Sequence, residues 1–262
     1  MSETKTFEEL FMIKPKEEIL KINNLKILVL SNINSNHMYL IKLKEWQMQN
    51  KEYFDYIIFL GNFLSYTDNK NKEDLLQISK DESQIGGLLS YLENICLKII
   101  YIGGENDCIT LFRKPYPNIT LTSTNIHQQY YNLADDLYLL GYGGQINFFN
   151  QDNITELFFS FQKNIKNDNL IRPIQSIFMN NLGESSDFLN SDEKIMKIMK
   201  DKNNNILINL NGNMKMEDKI EKMNGIDFIN PGSICEGEFG ILLLNRAQNN
   251  LWQINSFKRL RI

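Results

Sequence analysis

Short polar clusters follow runs of apolar residues along this chain, and they hold most of the side chains that could do chemistry. They are Ser31–Asn36, Gly61-Asn62, Gly104-Glu105-Asn106-Asp107, Asn180-Asn181, Asn209-Leu210-Asn211-Gly212 and Asn230-Pro231-Gly232-Ser233. In an open α/β sheet, ligands bind just beyond the carboxyl ends of the strands, so polar residues arriving there together are candidate site residues. The chemistry on offer is lopsided. Asn supplies one neutral carbonyl oxygen and an amide nitrogen with no lone pair to donate, and only Glu105 and Asp107 add charge. That pair suits at most one weakly held hard cation such as Mg²⁺ or Ca²⁺, which prefer oxygen ligands. A loop-fixing turn is the simpler role for it. The two histidines, His37 and His127, lie outside the clusters. His37 reads as an exposed residue at a helix start, and His127 as a solvated residue before an antiparallel strand. Cys96 and Cys235, in or beside apolar runs, read as inert thiols.

The elements that must position these clusters follow from periodicity. Lys26–Leu30, Tyr56–Leu60 and Leu97–Ile102 are short β-rich apolar runs, each emptying into a turn, as buried strands do. Helical segments at Asn36–Gln49 and Leu75–Asn94 separate them, which spells β-α-β-α-β with parallel strands and right-handed crossovers. Past Asn118 the strands come closer together: Ile119–Thr122, Gln128–Leu133 and Leu137–Tyr142, with Asp135-Asp136 as a turn. That is an antiparallel rhythm. A helix from about Asn153 places Ile154, Leu157, Phe158, Phe161 and Ile165 on one apolar stripe. Further strands are expected at Ile174–Met179, Asn205–Leu210, Asp227–Asn230, Gly240–Leu244 and Trp252–Phe257, with a Met-rich helix at Asp192–Lys200. No Pro/Gly/Ser linker or repeat divides the chain, so one domain is expected over 25–262. An extension over 1–24 precedes it, with short amphipathic helices at Phe7–Phe11 and Glu17–Leu20.

Composition bounds the function classes. With 28 Lys+Arg against 32 Asp+Glu in 262 residues, the net charge of −4 offers no overall field for nucleic acid or an anionic membrane. The apolar runs fall far short of the roughly 18–20 residues of a spanning helix. The start, with three Glu before Phe11, does not read as a signal segment. Three cysteines without metal-type spacing argue against a disulfide framework or a zinc knuckle and suit a reducing, cytoplasmic setting. Asn makes up 35 of the 262 residues, a bias typical of an AT-rich coding genome.

The order and spacing of the polar clusters resemble the motif series of the calcineurin-like metallophosphoesterases. Leu137–Gly144 resembles the strand and glycine turn after the third motif, Asn230-Pro231-Gly232-Ser233 matches fully, and Gly237–Leu244 resembles the closing strand. The likeness covers Leu25 to Phe257. It implies an α/β fold: a four-layer αββα sandwich of two mixed β-sheets flanked by helices. It also implies where metal ligands should stand, and there this sequence departs from the family. The first Asp and its paired His fall on Asn32 and Asn34, and the bridging Asp on Asn62. In the third motif Gly104 is kept, the ligand Asn falls on Glu105, the general-acid His on Asn106, and only Asp107 is retained. The later His falls on Asn180 or Asn181, and the His-x-His pair on Asn209 and Asn211. Gly61 is also kept.

Two divalent ions about 3.5–4 Å apart repel strongly and need bridging carboxylates with imidazole donors, which amides do not replace. Without a His at 106, no group titrating near neutrality is placed to protonate a leaving alkoxide. The resemblance therefore implies a degenerate member with no metal cofactor, an inactive enzyme that works as a structural or adaptor subunit among other proteins, with no nucleic acid and no membrane span. The retromer small subunit and the B subunits of replicative polymerases resemble this pattern. An Asn-, Lys- and Ile-rich composition resembles that of protist proteins, so a cytoskeletal or ciliary assembly is the expected setting. Two other readings compete: a residual single-metal phosphoesterase using Glu105 and Asp107, and a phosphate or nucleotide sensor in the vacated pocket.

Overall fold

The computed structural model describes residues 22–65, 74–144, 151–167, 173–181, 205–212, 220–223 and 225–262. Its first half alternates strand and helix: β1 (Asn24–Leu30), α1 (Met38–Asn50), β2 (Tyr56–Phe59), α2 (Leu75–Glu93) and β3 (Ile99–Tyr101). The short strand β4 (Ser123–Asn125) follows, and then the hairpin of β5 (Gln129–Ala134) and β6 (Leu137–Tyr142). After α3 (Gln151–Asn167) come β7 (Gln175–Asn180), β8 (Ile206–Asn211), β9 (Ile220–Met223), β10 (Ile226–Ile229), β11 (Glu238–Arg246) and β12 (Trp252–Arg261).

These strands form two mixed sheets of six, in the orders β12-β11-β1-β2-β3-β4 and β5-β6-β7-β8-β10-β9. In the first, β1 to β4 run parallel, with Leu28 opposite Ile57 and Ile58 opposite Ile100, while β11 and β12 return antiparallel beside β1. In the second, β6, β7, β8 and β10 are parallel, and β5 and β9 are antiparallel edges. Period-two alternation divides each strand between two apolar layers. Ile27, Val29, Ile58, Leu60 and Ile100 face Leu139, Ile177, Met179, Ile208 and Leu210 between the sheets. On the far side of the first sheet, Leu28, Ile57, Phe59 and Ile99 meet Leu40 and Leu43 of α1 and Ile85, Leu89 and Leu92 of α2. On the far side of the second, Leu140, Phe178 and Phe228 meet Ile154, Leu157, Phe158 and Phe161 of α3. The result is the expected four-layer αββα arrangement.

The end of the sandwich where β1 and β6 begin is tied by charge. Asp136, in the β5–β6 turn, accepts two bonds from Arg246 at 2.6 and 2.7 Å and one from Trp252 Nε1 at 2.8 Å. The guanidinium stacks 4.5 Å over the Trp252 ring. Gln175 exchanges two further bonds with the Trp252 backbone, so the start of β7 is fastened to the start of β12 across the sheets.

Three expectations are corrected. Ile119–Thr122 is not a strand; Ile119 N–H donates to the Tyr101 hydroxyl, and Thr120 and Thr122 bond to Glu93 at the end of α2. The strand begins afterwards, at Ser123, and pairs parallel with β3 rather than antiparallel. His127 is 3% exposed, not solvated. A further strand, β9, was not anticipated. The two short helices expected near the amino terminus and the Met-rich helix at Asp192–Lys200 lie outside the described residues. Among those residues, no helix is long and apolar enough to cross a membrane.

Candidate functional site: an amide rim at the strand ends

The loops leaving β1, β2 and β3 meet at one rim, and an unusual backbone brings them there. Asn32, Asn34, Ser35 and Asn62 all have positive φ, between 49° and 63°. Asn is among the few non-glycine residues that tolerate this left-handed region, because its short amide bonds locally. Gly61, at φ 90°, is needed for another reason: a Cβ there would come within 2.6 Å of Gly104 N. Asn32 N–H donates to Gly61 O, and Asn34 N–H to Asn62 O, so the first loop is stitched to the second.

Asp107 fastens the second loop to the third. It is 1% exposed, and its two oxygens accept the N–H groups of Gly104 at 2.7 Å and of Asn62 and Leu64 at 2.9 Å. Burial pushes its carboxyl up to about 6, against those three donors, which stabilise the charged form. Both oxygens are therefore engaged with backbone. Glu105, two residues earlier, is exposed. The two carboxylates thus sit in different settings, one buried against backbone donors and one exposed.

The amides bond to one another. Asn62 Nδ2 donates to Asn32 Oδ1 at 2.8 Å, Asn62 Oδ1 accepts from Asn106 N–H at 3.3 Å, and Asn32 Nδ2 donates to Gly212 O at 2.9 Å. Asn181 Nδ2 donates to Leu60 O at the end of β2. Asn34 Nδ2 points to Cys235 Sγ at 3.3 Å, which also lies 3.1 Å from Ser233 Oγ. The Asn230-Pro231-Gly232-Ser233 turn closes this side: Gly232 N–H donates to Asn230 Oδ1 at 2.6 Å, and Ser31 Oγ donates to Gly232 O at 2.7 Å.

Not every predicted position reaches the rim. Asn180 Nδ2 donates to Asn209 Oδ1 at 2.5 Å, and Asn211 Nδ2 donates to Asn180 Oδ1 at 2.7 Å. Met179, Ile208 and Leu210 belong to the layer between the sheets, whereas Phe178 belongs to the α3 layer. Alternation thus puts Asn180, Asn209 and Asn211 on the α3 face. What β7 and β8 give the rim is Asn181 and Gly212. Gly212 closes the cluster Asn209-Leu210-Asn211-Gly212, and the period-two pattern of Ile206–Asn211 carries the signal that it, and not Asn209 or Asn211, reaches the rim. Neither histidine joins the rim. His127 Nδ1 accepts from Gly143 N–H at 3.1 Å among the rings of Phe112, Tyr116 and Tyr142, and burial pushes its pKa down to about 4. His37 is exposed and stacks on Tyr91.

The sequence matches no family model and no curated protein. Solved structures do match. TT1561 of Thermus thermophilus is 17% identical, with a TM-score of 0.62 over 90% of this chain and 98% of its own. A dimetal phosphatase from Danio rerio is 8% identical, with a TM-score of 0.52 over 88% of this chain and 99% of its own. The chain has the calcineurin-like metallophosphoesterase fold. A putative 5'-nucleotidase from Staphylococcus aureus adds a third case at 14% identity and a TM-score of 0.57, covering 91% of this chain and 54% of that one.

A fold of this family implies a pair of divalent ions at the strand ends, and the donors of this metallophosphoesterase-fold chain do not fit them. The Asn32 and Asn62 oxygens accept from Asn62 and Asn106, and the Asp107 oxygens accept three backbone donors. A metal there would rest mainly on neutral amide oxygens, with Glu105 the one carboxylate at a matched ligand position. Among the described residues, no group of three or more His, Cys, Asp or Glu side chains is placed to hold a metal ion.

Proposed function

We propose that this chain is a non-catalytic metallophosphoesterase-fold protein whose strand-end rim is held by amides bonded to one another and to backbone, with the buried Asn181 Oδ1 alone left without a partner among the described rim amides, and that it serves as a structural or adaptor subunit of a protein assembly. The observation that carries the first half is the bond from Asn62 Nδ2 to Asn32 Oδ1. At the positions where the family resemblance puts two metal-binding Asp side chains, two amides complete each other instead. A carboxylate pair there would repel without a cation, whereas an amide pair is stable alone.

Cytoplasmic residence and a cytoskeletal or ciliary assembly belong to the same proposal and rest on composition. The reading is tested with an activated aryl phosphate and Mn²⁺. It expects no turnover above a denatured control and an unchanged result for Glu105→Gln. Turnover that disappears in Glu105→Gln would establish the residual phosphoesterase instead. The adaptor half is tested by the native mass of the protein from its source: a particle containing other subunits supports it, and a free chain overturns it.

A further inference from the structure

Edge strands present unpaired backbone groups, and soluble proteins blunt them with charge, short length or a covering loop. Four described strands form the sheet edges here, and three are blunted. β12 carries Lys258, Arg259 and Arg261. β9 has Glu221 and Lys222 among its four residues. β4 has three residues, with Asn125 N–H donating to Asn118 Oδ1 and its side chain to Leu111 O in the adjoining loop.

β5 is different. Its sequence, Gln129-Tyr130-Tyr131-Asn132-Leu133-Ala134, carries no charge. Near its end the pairing with β6 slips between Asn132 and Ala134, and the Leu133 carbonyl accepts from the Tyr56 hydroxyl. Gln129 N–H is taken too, donating to Ile126 O at 3.0 Å, which leaves Tyr130–Asn132 as the open stretch, with Tyr130 38% exposed and Asn132 exposed. Among the described residues, charges flank the strand on both sides. Asp135 is exposed in the turn after β5, and Lys114 lines a groove of about 430 Å³ beside Gln128, Gln129 and Tyr130. Glu156 of α3 lines the helix side of that groove.

We propose that β5 is a homodimerisation edge, pairing antiparallel with β5 of a second copy around a two-fold axis to join the two second sheets into one. An uncharged strand can face itself without opposing like charges, which β12 and β9 cannot. An isologous contact of this kind closes on itself and leaves no new edge at the joint. With the axis at Tyr131, Tyr130 faces Asn132 of the second copy on the outer face of the sheet. Ala134 of each copy then falls opposite Gln128 of the other, which puts Asp135 just beyond it, at the end of the joint near the groove that Lys114 lines. Unlike charges meet at both ends of the joint. The contact is small, so the dimer is expected to be weak and concentration-dependent. None of its residues belongs to the amide rim, and it does not depend on the rim being non-catalytic.

The test is sedimentation velocity of the full chain over a concentration series. The expected result is a reversible shift toward twice 30.7 kDa. Asn132→Lys, at an exposed position, should raise Kd by about tenfold or more by placing new positive charge on both strands of the joint. Asp135→Lys should raise it by about threefold, and Asp135→Lys combined with Lys114→Glu should recover the original Kd. Circular dichroism checks that each variant is folded. A chain that stays monomeric throughout, or a dimer indifferent to Asn132→Lys, overturns the proposal.

Discussion

Two buried polar regions hold the sandwich at opposite ends of its strands, and they solve the same problem differently. Where β1 and β6 begin, Asp136 and Arg246 keep full charges, with side chains 4% and 5% exposed, and satisfy them with a bidentate pair and an indole donor. At the carboxyl ends, loops that meet in the same fold as a dimetal phosphatase carry amides, with one buried carboxylate, Asp107, committed to backbone N–H groups. The first region keeps a charge with its partner. The second relies mainly on neutral groups that bond to one another. Burying charge costs several kcal/mol unless it is paired, so a rim without cations is stable only if most of its charge is gone.

The largest expected effect comes from breaking the charged end. Asp136→Ala strands the Arg246 guanidinium and the Trp252 indole N–H, and urea unfolding should register a loss of about 3–5 kcal/mol. At the rim, Asp107→Ala removes the acceptor of three backbone donors and should cost about 2–3 kcal/mol, since solvent reaches some of them once the loops part. Asn62→Asp sharpens the contrast. It returns the bridging carboxylate of the family resemblance but sets it against Asn32 Oδ1, and should cost about 1–2 kcal/mol at pH 7. If Mn²⁺ restored that loss, the rim would still be a metal site.

The smallest effect is in pH dependence. Asp107 has its pKa raised from 3.8 to about 6, so its contribution is full below about 3.8 and is lost as pH rises through 6. His127 has its pKa lowered from 6.5 to about 4, so its contribution is present above 6.5 and is lost as pH falls toward 4. The two slopes oppose each other in the same window. His127→Gln keeps an acceptor for Gly143 N–H and removes one slope; its Tm, relative to that of the parent, should fall as pH rises from 4 to 6.5.

Much of the fold was legible because strands covered on both faces are apolar throughout: Tyr56–Phe59 and Leu137–Tyr142 announce themselves. β4 was misplaced because Ile119–Thr122 has the β-branched composition of a strand, yet its groups are spent on Tyr101 and Glu93, contacts far apart in sequence. β9 escaped notice because Glu221 and Lys222 give an edge strand the look of a loop. At the rim, the motif order placed Asn32, Asn62 and Asp107 among the site residues, and the structure brings these three together. It could not choose between Asn180 and Asn181, because a one-residue shift reverses the face of a strand and both neighbours are the same amino acid. Nor did it show why Asn suits 32, 34 and 62. Those positions adopt left-handed backbone, which is a property of the folded loops.

The central claim is that the rim is held together without a cation. Elemental analysis of protein purified without chelator, then soaked in Mn²⁺ and Zn²⁺ and desalted, tests it most directly. The account expects metal well below one equivalent per chain. One or two equivalents, lost on Asn62→Ala, would contradict it and make the rim a metal centre.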